Sequence, residues 1–143
     1  MGEILFRGKS IEDNNWVYGD LIREKKSFGK ICTRIYRTTN NGWELIDVDS
    51  KTVGRYTGLT DKNGNKIFEG DILKLILESK ESDIPIIVKY GQYIDADSLD
   101  DSKYLGWYLD IKNKCVSILL GENDGIELEV AGNIFDNPEL LEE

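Results

Sequence analysis

The chain has 143 residues, with 18 Lys or Arg, 27 Asp or Glu and no histidine, for a formal charge of −9. That length suits one domain with a core of its own, expected to span residues 1–143. The missing histidine excludes Ser-His-Asp and Cys-His catalysis within one chain, and zinc sites built on Cys and His spacing. The acidic balance opposes tight duplex DNA binding, where phosphates would meet a repulsive field. No apolar run reaches the roughly 18 residues of a membrane-crossing helix, and residues 1–7 lack the long apolar stretch of a signal peptide. The charge is uneven: residues 1–66 hold twelve cations and nine acids, residues 67–143 six and eighteen.

In chain order, Ile4-Leu5-Phe6 reads as a short strand, and Glu12-Asp13-Asn14-Asn15 as a turn. Residues 16–22 form the next strand, broken by Gly19-Asp20. The following segment carries Arg23, Lys25, Lys26, Lys30, Arg34 and Arg37, with Phe28 and Tyr36 between them. Cations and rings in one stretch are the material of a single-strand binding surface. The plainer reading is a solvated hairpin with Ile31, Thr33 and Ile35 inward and Cys32, Arg34 and Tyr36 outward. Asn40-Asn41-Gly42 is a turn, and Trp43 to Val48 a strand closed by Asp49-Ser50.

Residues 52–59 are rich in Thr, Val and Tyr, which suit a half-buried strand. Asp61-Lys62-Asn63-Gly64-Asn65 follows as a hairpin loop, with Gly64 supplying a positive φ. A calcium loop would need glycine and glutamate where Lys66 and Ile72 stand, so this is a turn and no metal site. Ile67-Phe68 resume the strand. Glu69-Gly70-Asp71 interrupts it, Gly70 as a bulge or close approach and Asp71 capping backbone N–H groups. Residues 72–77 read as a strand covered on both faces.

Residues 84–90 alternate, with Pro85 marking an edge or a first strand position. Residues 91–104 read as a long polar connection with Tyr93, Asp95, Asp97, Asp100, Asp101 and Tyr104, a composition suited to a partner surface. Four carboxylates there also leave open a magnesium-dependent hydrolase or nuclease. Trp107, Leu109 and Ile111 form one strand face, and Cys115 lies in the next strand. Cys32 and Cys115 read as reduced core thiols. Near the end, Asn137 is expected to cap a helical turn with Pro138 at its first position, docked by Leu140 and Leu141. These elements add up to an all-β class: a small bent barrel or packed sheets of short antiparallel strands, with a short C-terminal helical turn.

Three segments together resemble the YopX family of phage and prophage proteins. They are Phe6-Arg7-Gly8-Lys9 with Trp16-Val17-Tyr18-Gly19, then Tyr56-Thr57-Gly58-Leu59-Thr60-Asp61-Lys62-Asn63-Gly64 running into Ile67-Phe68-Glu69-Gly70-Asp71-Ile72, then Gly132-Asn133-Ile134-Phe135-Asp136-Asn137-Pro138-Glu139-Leu140-Leu141. The resemblance implies a small, mostly β phage accessory protein in the bacterial cytoplasm, and it brings no catalytic residues. Its marked positions Gly58, Gly64, Gly70, Asp71, Gly132, Asn133, Asn137 and Pro138 are turn glycines and caps, as in a fold signature.

The expectation is therefore a non-enzymatic binding protein without a cofactor, acting on a host or phage protein and capable of self-association. The alternatives are a nucleic-acid accessory protein using residues 23–37 and the magnesium-dependent enzyme above.

Overall fold

The structure, a computed structural model, describes residues 3–96, 98–118 and 125–142. Its contacts divide the chain into two compact units, residues 1–58 and 59–143.

The first unit contains β1 (Phe6–Ser10), β2 (Trp16–Lys25), β3 (Ile31–Thr39) and most of β4 (Gly42–Thr60). All pairings are antiparallel in the order β1-β2-β3-β4, and β1 also pairs back to β4, so the four strands close on themselves. Closure depends on a bend in β4. Its residues 42–47 pair with β3, and Val48, Asp49, Gly54 and Arg55 then pair with β1. Opposite Arg7 to Lys9 the register jumps from Gly54 to Asp49, the extra residues of a bulge. Thr52 fixes it: its hydroxyl accepts from Lys9 N at 2.8 Å and donates to Asp49 O at 2.6 Å. Asp49-Ser50 thus bends one long strand, where the sequence suggested a strand end.

Gly19 lies against the Tyr36 main chain, where a Cβ would collide with the Tyr36 carbonyl oxygen. Val17, Ile35 and Val48 form the buried cluster, with Phe6, Leu21, Ile46 and Val53 packed around it. Thr33 and Ile35 point inward as expected. Ile31 is exposed, because it opens β3 opposite Lys25, at the end of the ladder. Arg7 and Lys9 lie over the Trp16 ring at 4.5 and 5.5 Å.

The second unit contains β5 (Lys66–Phe68), β6 (Asp71–Leu77), β7 (Lys80–Glu81), β8 (Ile86–Ile94), β9 (Lys103–Ile111), β10 (Lys114–Ser117), β11 (Ile126–Asn133) and a 3-10 helix (Pro138–Leu141). Its antiparallel sheet runs β10-β9-β8-β6-β11, with β7 paired to β6. Ile67, Leu73, Ile86, Val88, Leu109, Ile118 and Leu128 make the core.

Side chains and turns hold the ends of these strands. Gly70 has φ +90°; its N–H donates to Val88 O and its carbonyl accepts from Ile134 N, both at 2.9 Å. The buried Asp71 carboxylate accepts from Phe68 N at 2.7 Å, so Glu69-Gly70 is a capped turn between two strands. The outer edge of β11 meets the 61–65 turn through Lys62 N to Leu128 O and Val130 N to Asp61 Oδ2. The outer edge of β10 is met by Ala96 N donating to Cys115 O at 2.8 Å. Covered edges do not invite strand addition.

At the C-terminus the capping differs from expectation. The Asn137 side-chain oxygen does not cap the 3-10 helix; it accepts from Asn133 N at 3.2 Å. Asn133 Oδ1 in turn accepts from Phe135 N and Asp136 N. Gly132 permits this, since a Cβ there would lie 2.5 Å from Asn137 Oδ1. No residue of the short helix is buried, and Leu140 and Leu141 stay partly exposed, so they do not dock it.

Candidate binding surface on the β8–β9 arm

β8 and β9 pair without interruption from Ile86↔Ile111 to Ile94↔Lys103. Residues 91–94 and 103–104 are therefore ladder residues, and the connection shrinks to residues 95–102. The polarity of Gln92, Lys103 and the two glycines hid a continuing period-2 pattern. Among the described residues β6 reaches β8 only at Ile86 and Ile87, and β10 reaches β9 only at residues 108–111. Past Tyr90 and Trp107 the two strands run on as an arm.

The arm is bent at a glycine pair. Gly91 and Gly106 face each other with φ +148° and +155°, a region that L side chains rarely adopt. Tyr93 stacks on Tyr108 with ring centroids 4.8 Å apart and lies 5.8 Å from Tyr104, its direct cross-strand partner. The bend returns the tip to the sheet, where Asp95 bridges to Cys115. Cys115 stands opposite Asp110, and Asp110 opposite Ile87. Asp95 thus lies three strand spacings from Ile87, at most about 15 Å, where eight residues of straight strand would cover about 26 Å.

One side of the bent arm is closed. Lys89 Nζ pairs with Asp110 Oδ2 at 2.8 Å, a hydrogen bond that holds the ammonium above its usual range. Burial pushes the Cys115 thiol up, so it is a poor nucleophile. The other side is open and apolar: Tyr90 is 51% exposed, Ile94 45% and Leu105 75%. Tyr90 meets Trp107 edge to face at 5.1 Å. This row was missed in the sequence; its signal was the matched spacing of Gly91 and Gly106 about the connection.

Of the residues singled out for a partner surface, Tyr93 and Tyr104 lie in the ladder, Asp95 at the bridge, and Asp100 and Asp101 in the connection. Asp97 lies outside the described residues. A groove of about 570 Å³ under the tip is lined by Tyr93, Asp95, Asp100, Asp101, Lys103 and Lys114, among others. Asp100 is engaged within its own loop: hydrogen bonds from Ser102 and Ser98 hold its carboxyl below the usual range. Among the described residues no three Asp, Glu or Cys side chains are grouped to hold a metal ion.

The cations of residues 23–37 do not form one patch. Arg34 binds Asp47 at 2.8 Å and Glu24 at 3.3 Å, which raises its pKa, while Lys26 also meets Glu24 and Arg37 meets Glu44. Arg23 and Lys25 register opposite Thr33 and Ile31, on the other face of β2 from Glu24. Lys30 lines a separate groove with Asp47 and Asp49. The carboxylates of β4, distant in sequence, pair with Arg34 and Arg37.

No curated protein matches the chain. Among solved structures, protein EF1440 from Enterococcus faecalis aligns with a TM-score of 0.51 over 99% of this chain and 100% of that one. Their identity of 21% makes this a likeness of fold. The described residues contain no helix long and apolar enough to cross a membrane. The family described as YopX protein matches residues 5–142, through both units and all three segments quoted above, and the chain belongs to that family.

Proposed function

We propose that this protein is a non-enzymatic binding protein, encoded by a phage or prophage, that acts in the bacterial cytoplasm by docking on a host or phage protein through the β8–β9 arm. The observation that carries this reading is the open side of the arm, where Tyr90, Ile94 and Leu105 are exposed on a backbone pre-bent by Gly91 and Gly106. An aromatic and aliphatic row on a rigid ribbon is what a protein interface uses as its centre. The neighbouring charges are mixed, with Lys103 and Lys114 beside Asp95, Asp100 and Asp101, which suits a polar rim. The pairing of Lys26, Arg34 and Arg37 removes the main support for a nucleic-acid surface.

The test compares the wild type with Leu105→Lys and Tyr90→Ser. Each protein is immobilised and exposed to lysate of infected cells, and the protein retained by wild type is purified and titrated. Either substitution should weaken its binding at least tenfold, about 1.4 kcal/mol. Equal binding by all three proteins removes the arm from the function.

A further inference from the structure

A second apolar surface lies on the outside of β2, β3 and β4 in the first unit. Three rows cross it: Ile22, Arg34 and Asp47; then Asp20, Tyr36 and Leu45; then Thr38 and Trp43. Trp43 is 63% exposed and stacks on Tyr36 at 6.0 Å, while Leu45, Ile22 and Tyr18 are also exposed. Together they present on the order of 400 Å² of apolar surface, comparable to the largest patch of a typical monomer, which is often functional.

Three observations select what covers it. First, the core beneath is undersized. Among the described residues its buried cluster is Val17, Ile35 and Val48, with Tyr56 also buried, against a cluster of seven in the second unit. A small buried cluster leaves more to gain from covering the apolar face above it. Second, residues 1–58 carry ten cations and eight acids, while residues 59–143 carry eight and nineteen. Two copies of a chain of charge −9 repel each other, and least through the nearly neutral unit. Third, the face carries both signs, with Arg34 between Asp47 and Glu24 and with Asp20 one row away. A surface with both signs can meet its own copy without opposing like charges. The same acids repel a phosphate backbone.

We infer that this face docks a second copy of the chain, in an isologous dimer centred on Tyr36, Trp43 and Leu45. The dimer buries an aromatic centre of the composition that dominates interface energetics.

Sedimentation equilibrium on the full chain tests this, up to about 100 μM protein at about 0.15 M salt. The wild type should sediment as a dimer. Thr38→Glu places a charge in the middle of the face without removing a packed side chain, and Leu45→Arg adds like charges to both copies. Each should raise the dimer dissociation constant at least tenfold with an unchanged circular dichroism spectrum, while Leu105→Lys on the arm leaves it unaltered. A wild type that stays monomeric throughout, or a dimer indifferent to both substitutions, overturns the inference. So does a monomer that uses Trp43 to bind a different protein.

Discussion

The Asp61 carboxylate ties the central turn to the edge of the second sheet, and replacing it should cost more than a turn residue normally does. It accepts from Asn63 N at 2.9 Å, Asn65 N at 2.8 Å, Asn65 Nδ2 at 3.2 Å and Val130 N at 3.0 Å. The last bond joins residues 69 positions apart. Asp61→Ala deletes all four acceptor contacts and leaves partly buried donors behind, so it should cost about 2–4 kcal/mol. Asp61→Asn keeps one acceptor oxygen and turns the other towards a donor, for roughly 1–2 kcal/mol. Burial raises the carboxyl's pKa, but hydrogen bonds from Val130, Asn65 and Asn63 outweigh it and hold the group below its usual value. The unfolded chain therefore takes up the proton first. The stabilisation is complete above the unfolded pKa of about 3.9 and is lost as pH falls through the lower folded value. Urea unfolding at pH 7, repeated in steps towards pH 3, measures both effects. A loss under about 0.5 kcal/mol for Asp61→Ala would refute the reasoning. So would Asp61→Asn and wild type losing stability in parallel on acidification.

Gly64 has φ +85° and open space within 4 Å of where a Cβ would stand, so Gly64→Val should cost roughly 1–3 kcal/mol by conformation alone, and Gly64→Asn less, read from urea midpoints. Gly132→Ala should destabilise by a similar ~1–3 kcal/mol for a different reason, the clash with Asn137 Oδ1, and relief by Asn137→Gly in the same background is the diagnostic. Replacing residues 96–101 with a short turn should leave the unfolding midpoint nearly unchanged, because loop closure entropy varies slowly with length. Extending that replacement to 92–103 should destabilise the fold by ~1–3 kcal/mol, because Tyr93 leaves Tyr108. Gel shifts with duplex DNA at about 0.15 M salt should show no submicromolar binding.

Much of the fold was legible because turn chemistry and alternation are local. Asp61 to Asn65 and Asn40 to Gly42 stand in the sequence as the turns they are, and Asp71 as the cap it is. The bulge at Asp49-Ser50 was not legible. It exists because Thr52 bonds Lys9 and Asp49, and Lys9 is 43 residues away. The ends of β8 and β9 lie beyond where the sequence suggests because the polar residues of the bent arm carry no burial signal. Their pairing is set by Gly91 facing Gly106, a relation visible only across the hairpin. The partners of Arg34 and Arg37 are hidden in the sequence for a similar reason, since Asp47 and Glu44 face them only once β4 lies beside β3.

The polar side chains of the turns hold backbone groups in place. Both Asp61 oxygens already receive two hydrogen bonds each. Asn133 Oδ1 receives two backbone N–H groups, and Asn137 Oδ1 reaches back to Asn133 N. Asp71 is buried against Phe68 N. Removing any of these acceptors would leave a backbone N–H unpaired, at a cost of about 1–3 kcal/mol per donor. The residues that mark the family therefore build the frame. The frame leaves other side chains uncovered, Tyr90, Ile94 and Leu105 on the arm and Trp43 and Leu45 on the closed sheet, and it is these that the proposed binding uses. Substitutions there leave the turn hydrogen bonds in place, so they test binding apart from folding.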